Sequence, residues 1–73
     1  MEEYKIIVRK GYDFYVATFD NRDLAKMSYN GMIAEFVKHT KTNAAEFKIC
    51  LVSMTTRQVC FEAIITDGTI FEQ

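Results

Sequence analysis

The chain has no proline and no tryptophan, only three glycines, two cysteines and one histidine. With no proline, and glycine confined to positions 11, 31 and 68, there is no linker, repeat or low-complexity stretch, so the connections between elements are expected to be short. Long apolar runs are missing too. Ile6-Ile7-Val8 and Ala63-Ile64-Ile65 are three residues each, whereas a spanning helix needs about 20 apolar residues. The opening Met1-Glu2-Glu3-Tyr4 lacks the basic start and apolar stretch of a secretory leader. The expectation is a cytoplasmic protein with no membrane partner.

An excess of one charge is likewise absent. Nine basic and ten acidic residues leave a net charge of −1. They are spread evenly: residues 1–20 carry three basic and four acidic groups, residues 21–42 four and two, and residues 43–73 two and four. No basic stripe advertises the phosphate neutralisation on which nucleic-acid affinity largely rests.

Cys50 and Cys60 form no CxxC pair, and His39 is eleven residues from Cys50. Structural zinc takes four ligands at short paired spacings, so no metal site is expected, and none for a cofactor. Both cysteines read as small, half-buried reduced thiols. A thiolate dyad of Cys50 with His39 is not favoured. Cys50 lies within a strand rather than at a helix N-terminus, where a thiolate would be stabilised. No glycine loop cradles a phosphate, and no acid has a convergent partner. The chain is read as non-enzymatic, with no catalytic residue.

What is present is an ordinary globular composition, 49% apolar and 26% charged over 73 residues. That supports one small α+β domain over residues 1–73. A domain of this size removes only about 60% of its unfolded surface from water, and association with a second copy is a common remedy.

Residues 4–8 and 12–19 are rich in strand formers. Gly11 ends the Arg9-Lys10-Gly11 segment between them, where a three-residue hairpin loop places a left-handed residue. That loop pairs Val8 with Tyr12, Ile6 with Phe14 and Tyr4 with Val16, and makes Phe14 a core residue. A helix is expected from about Asn21 to Thr40. Asp20 is its N-cap, Asp23 completes a capping box, and Phe19 and Leu24 take the staple positions. Ala25, Tyr29, Met32, Ile33, Phe36 and Val37 form its apolar stripe. His39 and Lys41 suit the C-terminal dipole, and Asn43 is a candidate closing residue. Residues 46–54 and 58–66 alternate as a third and fourth strand. Phe47, Ile49 and Leu51 share one side with Val59, Phe61, Ala63 and Ile65. The turn at Thr55-Thr56-Arg57 has no glycine or asparagine. A three-residue loop aligning Leu51 with Phe61 and a longer loop therefore both stand. Asp67-Gly68 is a strong two-residue turn signal, after which Thr69-Ile70-Phe71 can form a short fifth strand or a loose end.

The expected architecture is ββαββ, a four-stranded antiparallel sheet in the order 2-1-3-4 with one helix on one face. The uncovered face should carry Lys5, Ile7, Arg9, Asp13, Tyr15, Ala17, Lys48, Cys50, Val52, Cys60, Glu62 and Ile64. Such mixed apolar character often marks an interaction surface. On the helix, Leu24, Met27, Gly31 and Ala34 form a second, weaker stripe. Gly31 there costs about 1 kcal/mol relative to alanine.

The candidate interaction residues are accordingly Ile7, Tyr15, Val52 and Ile64 on the open face, Met27 and Gly31 on the helix, and Ile70 and Phe71 near the C-terminus. They point to a protein-interaction module of adaptor or inhibitor type that pairs with itself and binds another protein. Open faces, an exchanged terminal arm, or the edges at the second and fourth strands are the routes to a dimer. The alternative is a single-stranded nucleic-acid binder that stacks bases on Tyr15 beside Lys5, Arg9 and Lys48. Asp13 and Glu62 on the same face count against it.

Overall fold

The computed structural model describes residues 2–11, 13–42 and 45–72. Strands β1 (Tyr4–Lys10) and β2 (Asp13–Phe19) lead into helix α1 (Arg22–Thr42), then β3 (Glu46–Ser53), β4 (Gln58–Thr66) and β5 (Thr69–Glu72). The five strands form one antiparallel sheet in the order β2-β1-β3-β4-β5. The α+β class, the 2-1-3-4 order and the short fifth strand agree with the sequence reading. β4 is therefore an interior strand, and the edge route through the fourth strand is closed.

The first hairpin turns differently from expectation. Lys10 pairs with Asp13, Val8 with Tyr15, Ile6 with Ala17 and Tyr4 with Phe19. The pairing of Lys10 with Asp13 leaves a two-residue connection starting at Gly11, not one of three residues. Gly11 has φ 58°, the positive φ that primed two-residue turns need at their first central position. The shift of three residues reverses the faces of β2. Phe14, expected in the core, is 65% exposed, while Phe19 packs against the core. β2 is apolar on both faces, so alternation could not choose between registers. Phe19 decides: it immediately precedes the helix connection, and burying it under α1 puts Ala17 and Tyr15 on the same side.

Asn21 caps the helix, not Asp20. Its Oδ1 accepts from the backbone N–H of Asp23 (2.8 Å) and of Leu24 (3.2 Å), and its carbonyl accepts the first intrahelical bond from Ala25 N–H. Two of the orphan donors at the helix start are satisfied this way. The capping-box and staple positions move by one residue, and Leu24 is left exposed. The expected role of Asn43 lies outside the described residues.

Ala25, Tyr29 and Ile33 are buried against the sheet, with Met32, Phe36 and Val37 half-buried beside them. The sheet supplies Tyr4, Ile6, Val8, Phe47, Ile49, Leu51, Ala63 and Ile65. Phe36 stacks on Phe47 with centroids 4.4 Å apart and planes 6° from parallel. At the far end, Thr40 is 2% exposed. Its hydroxyl donates to Val37 C=O (3.2 Å) and accepts from Gly68 N–H (2.9 Å). Helix and β4–β5 turn are tied there by one side chain. Asp67 (φ 51°) and Gly68 (φ 74°) give that turn the two positive φ values of type I′.

The β3–β4 connection satisfies both alternatives at once. Leu51 pairs with Phe61, but beyond it Val52 pairs with Val59 and Ser53 with Gln58. The loop is the longer one, Met54 to Arg57, and Cys60 is the extra residue of a β-bulge. Arg57 takes the left-handed conformation, φ 58°, without the glycine or asparagine usually used there. The bulge corrects two placements. Cys60 packs against the core, whereas Val59 joins the open face and is 56% exposed.

Candidate functional site

Period-two alternation and the strand register define the open face in rows. Phe14, Arg9, Lys48, Ile64 and Phe71 lie side by side across all five strands. The next row is Val16, Ile7, Cys50 and Glu62, and the next Thr18, Lys5, Val52 and Val59. Ile7, Cys50, Val52 and Ile64 are half-buried by their neighbours. Phe14, Val16, Val59 and Phe71 stand out at 50–65% exposure. No element of the described chain covers this face.

Its charges are partly tied down. Lys48 Nζ lies 2.9 Å from Glu62 Oε1, a diagonal pair between β3 and β4. The hydrogen bond and charge of that carboxylate raise the Lys48 pKa. The pair is partly open to solvent, with Glu62 half-buried, and adds little to stability. The Arg9 guanidinium sits 5.4 Å from the Phe14 ring centroid, a cation–π contact. Cys50 Sγ donates to Ile7 C=O at 3.8 Å. Burial, and next the Glu62 carboxylate, push its thiol pKa up, which keeps it protonated and a poor nucleophile. Both cysteines are free. With Cys50 on the open face and Cys60 against the core, they lie on opposite sides of the sheet.

Of the residues singled out from sequence, Ile7, Val52, Ile64 and Phe71 come together on this face. Tyr15 does not. The register puts it on the helix side, where it remains 56% exposed and lines an apolar groove of about 360 Å³ with Val8, Met32, Phe36 and Phe47. Ala17 moves to the helix side with it. Ile70 pairs with Ile65 and lies at the opposite rim of that side. Met27 (70% exposed) and Gly31 are on the outer helix surface, away from the sheet. A Cβ on Gly31 would meet nothing within 4 Å, so no close contact inside the chain requires glycine there. Phe14, Val16 and Val59 were missed. The signal for the first two was the parity that Phe19 imposes on β2; the bulge that moves Val59 has no mark in the sequence.

A broad, open concavity of about 580 Å³ is lined by Glu2, Glu3, Thr18, Phe19 and Asp20. A cleft of about 170 Å³ is lined by Lys26, Tyr29, Asn30, Phe61, Glu62 and Glu72, below the roughly 300–1,000 Å³ of small-molecule sites. Its phenol, Tyr29, has a pKa pushed up to about 12, chiefly by burial and next by the Glu72 charge. Lys26 lies over the Phe61 ring and Tyr29 is tilted against it. Among the described residues no three of His, Cys, Asp and Glu converge as metal ligands, and no helix is long and apolar enough to cross a membrane. No protein-family model, curated protein or solved structure matches the chain.

Proposed function

We propose that the chain is a small non-enzymatic protein-interaction module that works as a homodimer and engages a further protein as an adaptor or inhibitor. The observation that carries this reading is the uncovered sheet face, where Ile7, Val16, Val52, Val59, Ile64 and Phe71 lie among Lys5, Arg9 and the Lys48–Glu62 pair. A solvated sheet face normally alternates to polar residues, and a large contiguous apolar patch usually belongs to an interface. Its inert chemistry supports the non-enzymatic part: the thiol at its centre is held protonated. The free thiols, on opposite sides of the sheet, favour a reducing compartment, the cytoplasm.

One observation favours a second reading, a single-stranded nucleic-acid binder. The register brings Phe14, rather than Tyr15, onto the face with Lys5, Arg9 and Lys48. An exposed ring flanked by cations is the combination that stacks bases. Lys48 is already paired with Glu62, which weakens it.

Sedimentation equilibrium at tens of micromolar, with and without a labelled mixed-sequence single-stranded oligonucleotide, separates the two. The interaction module sediments near twice 8.5 kDa and leaves the oligonucleotide free at physiological salt. Oligonucleotide bound with an affinity that falls steeply with salt would establish the second reading instead. A monomer throughout would overturn the homodimer.

A further inference from the structure

The two edges of the sheet differ. β5 is four residues long and carries Glu72, a short and charged edge of the kind that resists pairing. β2 has seven residues, Asp-Phe-Tyr-Val-Ala-Thr-Phe, with no proline, lysine or bulge, and its one charge is at its first position. Phe14, Tyr15 and Val16 are three consecutive exposed apolar residues on it. Nothing in the described chain covers this edge.

The backbone states which groups are free. Met54 N–H donates to Glu3 C=O at 2.8 Å, so Glu3 bonds towards β3. Antiparallel bonding alternates along a strand, so Lys5, Ile7 and Arg9 also bond towards β3, while Tyr4, Ile6, Val8 and Lys10 bond towards β2. Their partners Phe19, Ala17, Tyr15 and Asp13 are thereby satisfied. The N–H and C=O groups of Phe14, Val16 and Thr18 point out of the sheet, unpaired by any strand.

Resting on the homodimer reading above, we propose that β2 pairs antiparallel with β2 of a second copy, with Val16 on the two-fold axis, to make one continuous ten-stranded sheet. This register follows from the free groups. Val16 opposite Val16, and Phe14 opposite Thr18 in both directions, engages all three outward-facing residues of each chain. Centring on Tyr15 or Ala17 leaves Thr18 or Phe14 unpaired. The same register is self-complementary in its side chains. On the open face Val16 meets Val16, and the large Phe14 meets the small Thr18. On the helix side the large Tyr15 meets the small Ala17, which extends the wall of the apolar groove beside Met32 and Phe36. No like charges face each other within the ladder, since Asp13 falls opposite Phe19. The assembly also stops at two. Its outer edges are both β5, short and charged, so the interface closes with two-fold symmetry and leaves no second sticky edge.

Amide hydrogen exchange by NMR, run beside sedimentation equilibrium over a concentration series, tests the pairing on the unmodified protein. In a monomer only Asp13, Tyr15, Ala17 and Phe19 of β2 have protected amides. Dimerisation through this edge slows the Phe14, Val16 and Thr18 amides by more than roughly tenfold as the mass rises. Val16→Lys puts two ammonium groups across the axis. It should return the mass to 8.5 kDa with the circular dichroism unchanged, because Val16 is half-exposed in the single chain. Val59→Lys, at the far side of the same face, should leave the dimer intact. A dimer in which those three amides exchange as fast as loop amides, or one that Val59→Lys dissociates and Val16→Lys does not, overturns the edge pairing and leaves the homodimer reading standing. A monomer at every concentration overturns both.

Discussion

Replacing Thr40 by valine removes a hydrogen bond that ties the end of the helix to the β4–β5 turn. The two side chains have nearly the same shape, so packing at this 2%-exposed site is conserved while the acceptor for Gly68 N–H, 2.9 Å away, is lost. A half-buried donor left without a partner costs about 1–3 kcal/mol, more than the net value of the bond itself. The bond that Thr40 donates to Val37 C=O is a smaller loss, since that carbonyl has a second lone pair for the helix ladder. For a chain of this length each kcal/mol lowers the melting temperature by about 4–8 °C. β5 is only four residues long, so the turn can open locally and the thermal loss should fall at the low end. The Gly68 amide reports the whole effect: its exchange should accelerate roughly five- to 150-fold, the same 1–3 kcal/mol expressed as a rate. Thr40→Ser keeps the hydroxyl and removes one buried methyl, costing about 0.8 kcal/mol, and should leave that amide protected. If Gly68 exchanges at the parental rate in the valine variant, Thr40 does not hold the turn and the placement of β5 against the helix must be sought elsewhere.

The remaining predictions test the first hairpin and the buried phenol. Phe14→Ala should cost at most about 1 kcal/mol, an exposed side chain with one cation–π contact, while Phe47→Ala should cost about 3–5 kcal/mol; equal shifts in the urea midpoint would refute the two-residue loop. For Tyr29, the folded pKa near 12 exceeds the unfolded value near 10. The folded chain therefore holds its proton after the unfolded chain has lost it. Stability from this group is complete below pH 10 and is lost as pH rises from about 10 to 12. Tyr29→Phe should flatten the decline of the urea midpoint over that window, and parallel declines would show that the phenol is not shielded.

The sequence by itself determined the order of elements, the helix stripe, the strand order and the Asp67-Gly68 turn. All but the strand order are written in short-range terms: a 3.6-residue period, a two-residue period, or a residue type that a given φ demands. Ile7, Val52 and Ile64 were legible as one face for the same reason, since they alternate with buried partners; Phe71 joined that face only through the β4–β5 pairing that sets it beside Ile64. The register of the first hairpin was not legible, because β2 is apolar on both sides and Gly11 serves a two-residue loop as well as a three-residue one. Only packing Phe19 beneath the helix chooses between them, and that contact exists only once the chain has folded. The cap moved from Asp20 to Asn21 on equally small grounds, two good capping residues in a row whose choice depends on where the strand lets the helix begin. The bulge at Cys60 was set by the ladder on either side: Leu51 opposite Phe61 and a four-residue loop are compatible only if β4 carries one extra residue. The outward amides of β2 are likewise a tertiary fact. Which of them face away from the sheet depends on how β1 divides its bonds between β2 and β3, and no local pattern in residues 13–19 records it.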